Sequence, residues 1–215
     1  MRPLEADLRA GLDQLHIALN DGQVAQCLDY LNLIQKWNKV YNLTAVREPQ
    51  EMLTHHLLDS LTIIPPLMGH VSGRTIRLLD VGSGAGLPGV VIAICCPDIS
   101  VACVDTVSKK AAFVQQAAVT LKLPNLRGLH ARVESLTEPY DVISSRAFAS
   151  LPDFVNWSRS ALAEQGVWLA MKGKQPTEEI AALPSFAEVF HVEQLIVPGL
   201  DVQRCIVWMS HRSAP

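Results

Sequence analysis

The stretch Leu78-Leu79-Asp80-Val81-Gly82-Ser83-Gly84-Ala85-Gly86-Leu87-Pro88-Gly89 carries the clearest chemistry in the chain: an apolar run ends on a carboxylate, then breaks into alternating glycines. Glycines at that density permit positive φ and leave no side chain between the main chain and a ligand, so the loop reads as a cofactor cradle. Its register excludes two common ligands. A dinucleotide fingerprint needs its third glycine where Leu87 stands, and Gly86 comes one position early. A P-loop closes on Gly-Lys-Ser/Thr, whereas this loop closes on Gly86-Leu87-Pro88-Gly89. Asp105 ends the next apolar run, about twenty residues past the glycines, where a carboxylate accepts both ribose hydroxyls of an adenosine. Asp80 puts a second carboxylate beside the cradle, with a helix cap as the structural alternative. No Lys or Arg lies between Arg77 and Lys109 to neutralise a pyrophosphate. A cofactor that itself carries cations fits this loop, and S-adenosyl-L-methionine, with its ammonium and sulfonium, is such a cofactor.

These residues need a scaffold, and the periodicity supplies one. Val24, Cys27, Leu28, Leu31 and Ile34, then Met52, Leu53, Leu57, Leu58 and Leu61, recur at steps of three and four, which predicts helices through residues 1–72. Tyr41-Asn42-Leu43-Thr44 reads as a loop between them, and Thr62 to Gly73, with Pro65, Pro66 and Gly69, as the junction. From Thr75 the pattern alternates: strands at Ile76–Val81, Val101–Asp105, Leu126–Ala131, Tyr140–Ser144 and Val167–Met171, with helices at Val90–Cys96, Lys109–Leu121 and one ending at Ala161 and Leu162. Continuous apolar strands alternating with helices predict a parallel sheet covered on both faces. Val189–Val197 and Cys205–Met209, around Pro198-Gly199, read as a closing antiparallel hairpin.

In order along nearly the whole chain, Tyr41-Asn42-Leu43-Thr44, His56-Leu57-Leu58-Asp59-Ser60, Asp80 to Gly89, Ser145-Arg146-Ala147-Phe148-Ala149-Ser150-Leu151 and Lys172-Gly173 closely resemble the bacterial small-subunit rRNA guanine-N7 methyltransferase family, once called glucose-inhibited division protein B. The Leu-Pro-Gly ending and the Ser-Arg-Ala-Phe segment carry the specificity of that resemblance. It implies a Rossmann-like, class I S-adenosylmethionine-dependent methyltransferase, an α/β fold with a mostly parallel seven-stranded sheet, a C-terminal hairpin and an N-terminal helical region. The division implied is residues 1–72 for the helices and 73–215 for the methyltransferase domain. The implied reaction is methyl transfer to N7 of one guanine in the decoding-region loop of 16S rRNA, leaving S-adenosyl-L-homocysteine. The family's cofactor contacts fall on Gly82, Leu87, the Val133-Glu134 pair and Arg146, alongside Asp80, Gly84, Gly86 and Asp105 from the loop itself. The family often has an Arg-His step before the last strand, and here the step is Arg204-Cys205.

Guanine N7 carries an in-plane lone pair and no proton, so no general base is required. The chain has neither an Asn/Asp-Pro-Pro-aromatic motif for an exocyclic amine nor a Pro-Cys nucleophile; Cys96-Pro97 is in reverse order. Arg146, placed after the fourth strand, is the candidate catalytic residue, fixing the cofactor or donating to guanine O6. Phe148 reads either as a stacking platform for an extruded base or as core. Lys109, Lys110, Arg132, Arg146, Lys172 and Lys174 all fall after strands and should converge on the cofactor edge as a cationic rim for phosphates, with Arg204 added from the last strand.

The bulk numbers agree with one principal domain. The chain has 215 residues, 49% hydrophobic and 18% charged, too apolar for disorder, and no window approaches the roughly 20 unbroken apolar residues of a membrane span. The acids of Met1-Arg2-Pro3-Leu4-Glu5-Ala6-Asp7 argue against a secretory signal, so a cytoplasmic protein is expected, with a monomer preferred. Cys27, Cys95, Cys96, Cys103 and Cys205 have no CxxC pair, which predicts reduced, buried thiols and no metal. His55 and His56 are adjacent on a helix and point apart, and Trp37 and Tyr41 staple helices. The competing functions are a methyltransferase for another RNA, a protein or a small molecule, and a nonenzymatic adenosine-cofactor or RNA-binding module.

Overall fold

A computed structural model describes residues 2–212. Helices α1 (Arg2–Gln14) and α2 (Asp21–Tyr41) open the chain. Asn20 starts α2 with a capping box, its side chain accepting from the Gln23 amide while the Gln23 side chain accepts from the Asn20 amide. Asn42, in the left-handed region at φ 48°, ends it. A continuous helical run follows, made of α3 (Pro49–Met52), a π-helical segment (Leu53–Leu58) and α4 (Asp59–Leu61). Helix α5 (Ile64–Val71) leads into the sheet.

The seven strands are β1 (Arg77–Val81), β2 (Ser100–Asp105), β3 (Leu126–His130), β4 (Tyr140–Arg146), β5 (Leu162–Lys172), β6 (Ala187–Leu195) and β7 (Arg204–His211), in the order β3-β2-β1-β4-β5-β7-β6. The first five run parallel, and β7 is antiparallel to both β5 and β6. Helices α6 (Gly89–Cys95), α7 (Ser108–Thr120), α8 (Leu151–Ser158) and α9 (Thr177–Ala181) make the crossovers. This is the expected mostly parallel sheet with its C-terminal hairpin.

Because strand side chains alternate, the sheet feeds two cores. Leu78, Cys103, Val142 and Leu169 join one cluster with α1, α2, α6 and α7; Leu79, Val104, Ile143 and Trp168 join the other with α8. The N-terminal helices therefore share a core with one face of the sheet. Three strand limits differ from expectation where they matter. β4 continues to Arg146, which pairs with Met171 and so closes the strand rather than following it, and Lys172 likewise ends β5. Leu162 opens β5 instead of ending a helix, since it pairs with Tyr140. All five cysteines are free, and burial pushes the Cys27 thiol up to about 12. Among the described residues no helix is long and apolar enough to cross a membrane.

Candidate functional site

Strand order reverses between β1 and β4, and open α/β sheets bind ligands in the crevice outside the carboxyl ends at that point. The glycine loop leaves β1 there. Gly82 and Gly84 hold φ of 64° and 58°. A Cβ at Gly82 would run into the Phe148 ring, whereas at Gly84 it would meet nothing closer than the Gly82 carbonyl at 4.0 Å. Gly84 is thus the point where backbone is open to a ligand. Gly86 instead faces inward, against Val90 and Val114, and Leu87 is buried in the core with its amide donating to the Ser83 carbonyl. Neither reaches the cleft, so their part is to shape the loop.

Asp80 also lies elsewhere than beside a cofactor. It is fully buried beneath the loop; Oδ2 accepts from the Gly89 amide at 2.9 Å and Oδ1 from the Ser144 hydroxyl at 3.0 Å. Burial pushes its carboxyl up to about 7, against the lowering by those two donors. Asp80 caps the start of α6 and ties it to β4.

Beside the loop is a cleft of about 410 Å³ lined by Gly82, Asp105, Val107, Val133, Glu134, Phe148 and Trp157, among others. Asp105 Oδ2 accepts from the Gly84 amide at 3.0 Å and Oδ1 from the Val107 amide at 2.8 Å, with Lys110 Nζ 3.9 Å away. The carboxylate thus fixes the loop from the cleft wall, leaving it further lone pairs for a diol. Glu134 is held below its usual range, chiefly by its own backbone amide and then by Arg132, which donates to it at 3.2 Å. Phe148 packs edge-on to Phe154 and Trp157, at centroid distances of 6.5 and 5.8 Å. Phe148 is therefore a wall of this cleft, packed over Gly82. An adenosine cofactor fits a site with one open glycine, a buried-edge carboxylate and an aromatic wall.

The cationic rim is largely tied up. Lys110 neighbours Asp105, Arg132 pairs with Glu134, and Lys109 sits over the Tyr41 ring at 5.3 Å. Lys172 donates to Glu179 at 2.7 Å and to the Ala149 carbonyl at 2.9 Å. Lys174, exposed at the mouth of a separate cleft with Lys172 and Glu179, has no ion pair among the described residues. The carboxylates that accompany the strand-end cations lie in loops and helices that charge counting along the sequence did not connect to them.

Arg146 does not line the cofactor cleft. Its Nη1 donates to Asp59 Oδ2 at 2.7 Å and to the His55 carbonyl at 3.1 Å, while Arg204 Nε donates to Asp59 Oδ1 at 2.8 Å. Arg146 ends β4 and Arg204 opens β7, and both lie at the carboxyl edge of the parallel strands. Beside them, buried His56 meets the Thr44 hydroxyl at 2.7 Å, and burial, with the Arg146 charge adding to it, pushes its imidazole down to about 4. His56 is neutral at ordinary pH.

Three residues here had no assigned role in the sequence. Tyr30, fully buried on α2, donates to the Ala85 carbonyl at 2.6 Å and so holds the glycine loop from the N-terminal helices. Its only sequence signal was its place near an apolar stripe. Trp157 had none. Asp59 stood inside a motif quoted for the resemblance, with no role attached.

A family model described as GidB, rRNA small subunit methyltransferase G, matches residues 23–207. A ribosomal RNA small subunit methyltransferase G of Polaromonas is 67% identical, covering 100% of this chain and 96% of that protein, and one of Paracidovorax citrulli is 64% identical over 97% and 90%. Among solved structures, TrmN from Thermus thermophilus is similar at TM-score 0.57 and 17% identity, covering 74% of this chain and 53% of that one. The N-methyltransferase NodS from Bradyrhizobium japonicum, in complex with S-adenosylhomocysteine, is similar at 0.58 and 14%, covering 85% and 100%. At those identities the structural likeness concerns the fold.

Proposed function

We propose that this chain, which belongs to the rRNA small subunit methyltransferase G family, methylates N7 of one guanine in the decoding-region loop of 16S rRNA by direct in-line attack. It is an S-adenosylmethionine-dependent methyltransferase acting on small-subunit rRNA. The observation that carries the finer reading is the pairing of two unlike sites at one switch point: an adenosine-sized cleft at Asp105 and Glu134, and an arginine pair, Arg146 and Arg204, beyond it.

Bound S-adenosylmethionine supplies an electrophilic methyl group on a sulfonium. A guanine N7 attacking that methyl group would need no proton removed, and His56, beside Arg146, is neutral and buried. Asp105 and the Gly84 backbone would hold the ribose end of the cofactor, and Phe148 and Trp157 would wall the cleft from water. Arg146 offers donors to guanine O6 and so orients the base. Holding the reacting atoms in line supplies on the order of 7 to 11 kcal/mol, enough for chemistry that needs no base. An rRNA substrate supports a cytoplasmic location, and a monomer is the expected state.

The test is to map N7-methylguanine in 16S rRNA by reductive cleavage at modified sites, in cells lacking the protein and in cells with it restored. Loss and return of one mark in the decoding-region loop is expected. A mark that persists without the protein overturns the assignment.

A further inference from the structure

Asp59 is 3% exposed and accepts from two arginines on different strands of the sheet, β4 and β7: Arg146 Nη1 on Oδ2 at 2.7 Å and Arg204 Nε on Oδ1 at 2.8 Å. One carboxylate cannot neutralise two guanidiniums, and the neighbouring imidazole of His56 is uncharged, so a net positive charge remains at the carboxyl edge of β4 and β7. Each guanidinium has five N–H donors. Among the described residues, Arg146 spends only Nη1 on protein acceptors, and Arg204 spends Nε and Nη1. Both side chains are partly open, at 19% and 26% exposure.

This matters because of what an unrestrained arginine does to guanine. It takes O6 and N7 together as a bidentate pair. Such a pairing would occupy the lone pair that must attack the methyl group. With Nη1 engaged, Arg146 keeps a free Nε–Nη2 edge, and Asp59, which anchors Arg204 as well, sets the direction in which that edge meets a base and so whether it reaches O6 alone or O6 with N7.

Resting on the guanine-N7 reading above, we propose that Asp59 is a positioning residue of methyl transfer: it restrains Arg146 and Arg204 so that they hold guanine by O6 and leave N7 bare. The N-terminal helical region thereby contributes to the active site through a side chain that touches neither cofactor nor base. Without Asp59 the arginines still bind the base, in an arrangement that blocks the attacking atom. The signature is a fall in kcat with no rise in KM for RNA.

The experiment compares the full-length Asp59→Asn enzyme with wild type on small-subunit RNA prepared from cells lacking the protein. It measures kcat, KM for RNA, S-adenosylhomocysteine affinity by calorimetry and thermal stability. The expected result is kcat lower by about 30-fold, KM for RNA unchanged or lower, and cofactor affinity within about twofold. On an Arg146→Lys background the same substitution should cost less than it does alone, because the two changes share the Asp59–Arg146 contact while Arg204 is still released. A kcat within about threefold of wild type, a loss matched by equal loss of cofactor affinity, or losses that multiply in the double variant would each overturn the proposal. Should Asp59→Asn not fold, Asp59→Ser tests the same restraint: lower kcat at unchanged KM supports it, and unchanged kcat refutes it. If wild type itself places no methyl on guanine N7, the functional reading fails instead, whatever Asp59 does.

Discussion

On the β1–β2–β3 side of the carboxyl edge, Asp105 and Glu134 stand on an open cleft of about 410 Å³, and their partners are backbone amides and exposed cations. On the β4–β7 side, Arg146 and Arg204 close on a carboxylate that is almost wholly buried, against helices from the N-terminal region. The first region is built to admit a ligand and trade weak contacts for it. The second is already fixed before anything binds. Affinity and orientation are thus assigned to different parts of one edge, and substitutions in the two should separate cofactor binding from turnover.

The sharpest break should come from Arg146→Ala. Methyl transfer should fall by about 10³-fold with cofactor affinity unchanged, since Arg146 lies outside the cleft and Asp59 keeps Arg204 as a partner. Single-turnover kinetics with calorimetry decide it; a loss of cofactor binding would erase the distinction between the two regions.

Next is a pH effect confined to the closed region. The folded His56 titrates near 4 against 6.5 for a free imidazole, so the unfolded chain binds the extra proton, and stability is present above pH 6.5 and lost as pH falls toward 4. The shift corresponds to roughly 3 kcal/mol. Urea unfolding at several pH values should show that slope, and His56→Gln should flatten it. A wild-type slope that survives the substitution would place its origin elsewhere.

In the open region, Asp105→Asn keeps one acceptor for the loop but loses charge, and should weaken cofactor binding by about 20-fold without altering RNA affinity. The smallest effect tests the link between the regions. Tyr30→Phe removes the hydroxyl that α2 donates to Ala85, and should raise the cofactor dissociation constant by about fivefold while kcat at saturation is retained. A kcat loss there would mean that the helices act on both halves alike.

Much of the scaffold was legible because buried parallel strands read as unbroken apolar runs, and Asp105 could be placed from where one of those runs stops, whereas Val133 and Glu134 came only from the family resemblance. Strand ends were less legible: Ser145 and Arg146 are polar yet remain in β4, held by pairing with Ala170 and Met171 that leaves no local mark. Partnerships were the least legible. Asp59 meets Arg146 across 87 positions and Arg204 across 145, and nothing in either neighbourhood encodes the other. For the same reason the strand-end cations looked like a free basic rim until Glu134, Glu179 and Asp59 were seen beside them.

The contact between Asp59 and Arg204 also sets a schedule. Arg204 opens the last strand, so during synthesis the glycine loop and its cleft emerge well before the second arginine does. A nascent chain can hold every residue of the cofactor cleft and still lack half of the arginine pair. The enzyme whose substrate is ribosomal RNA completes its own site only once β7 has left the ribosome making it.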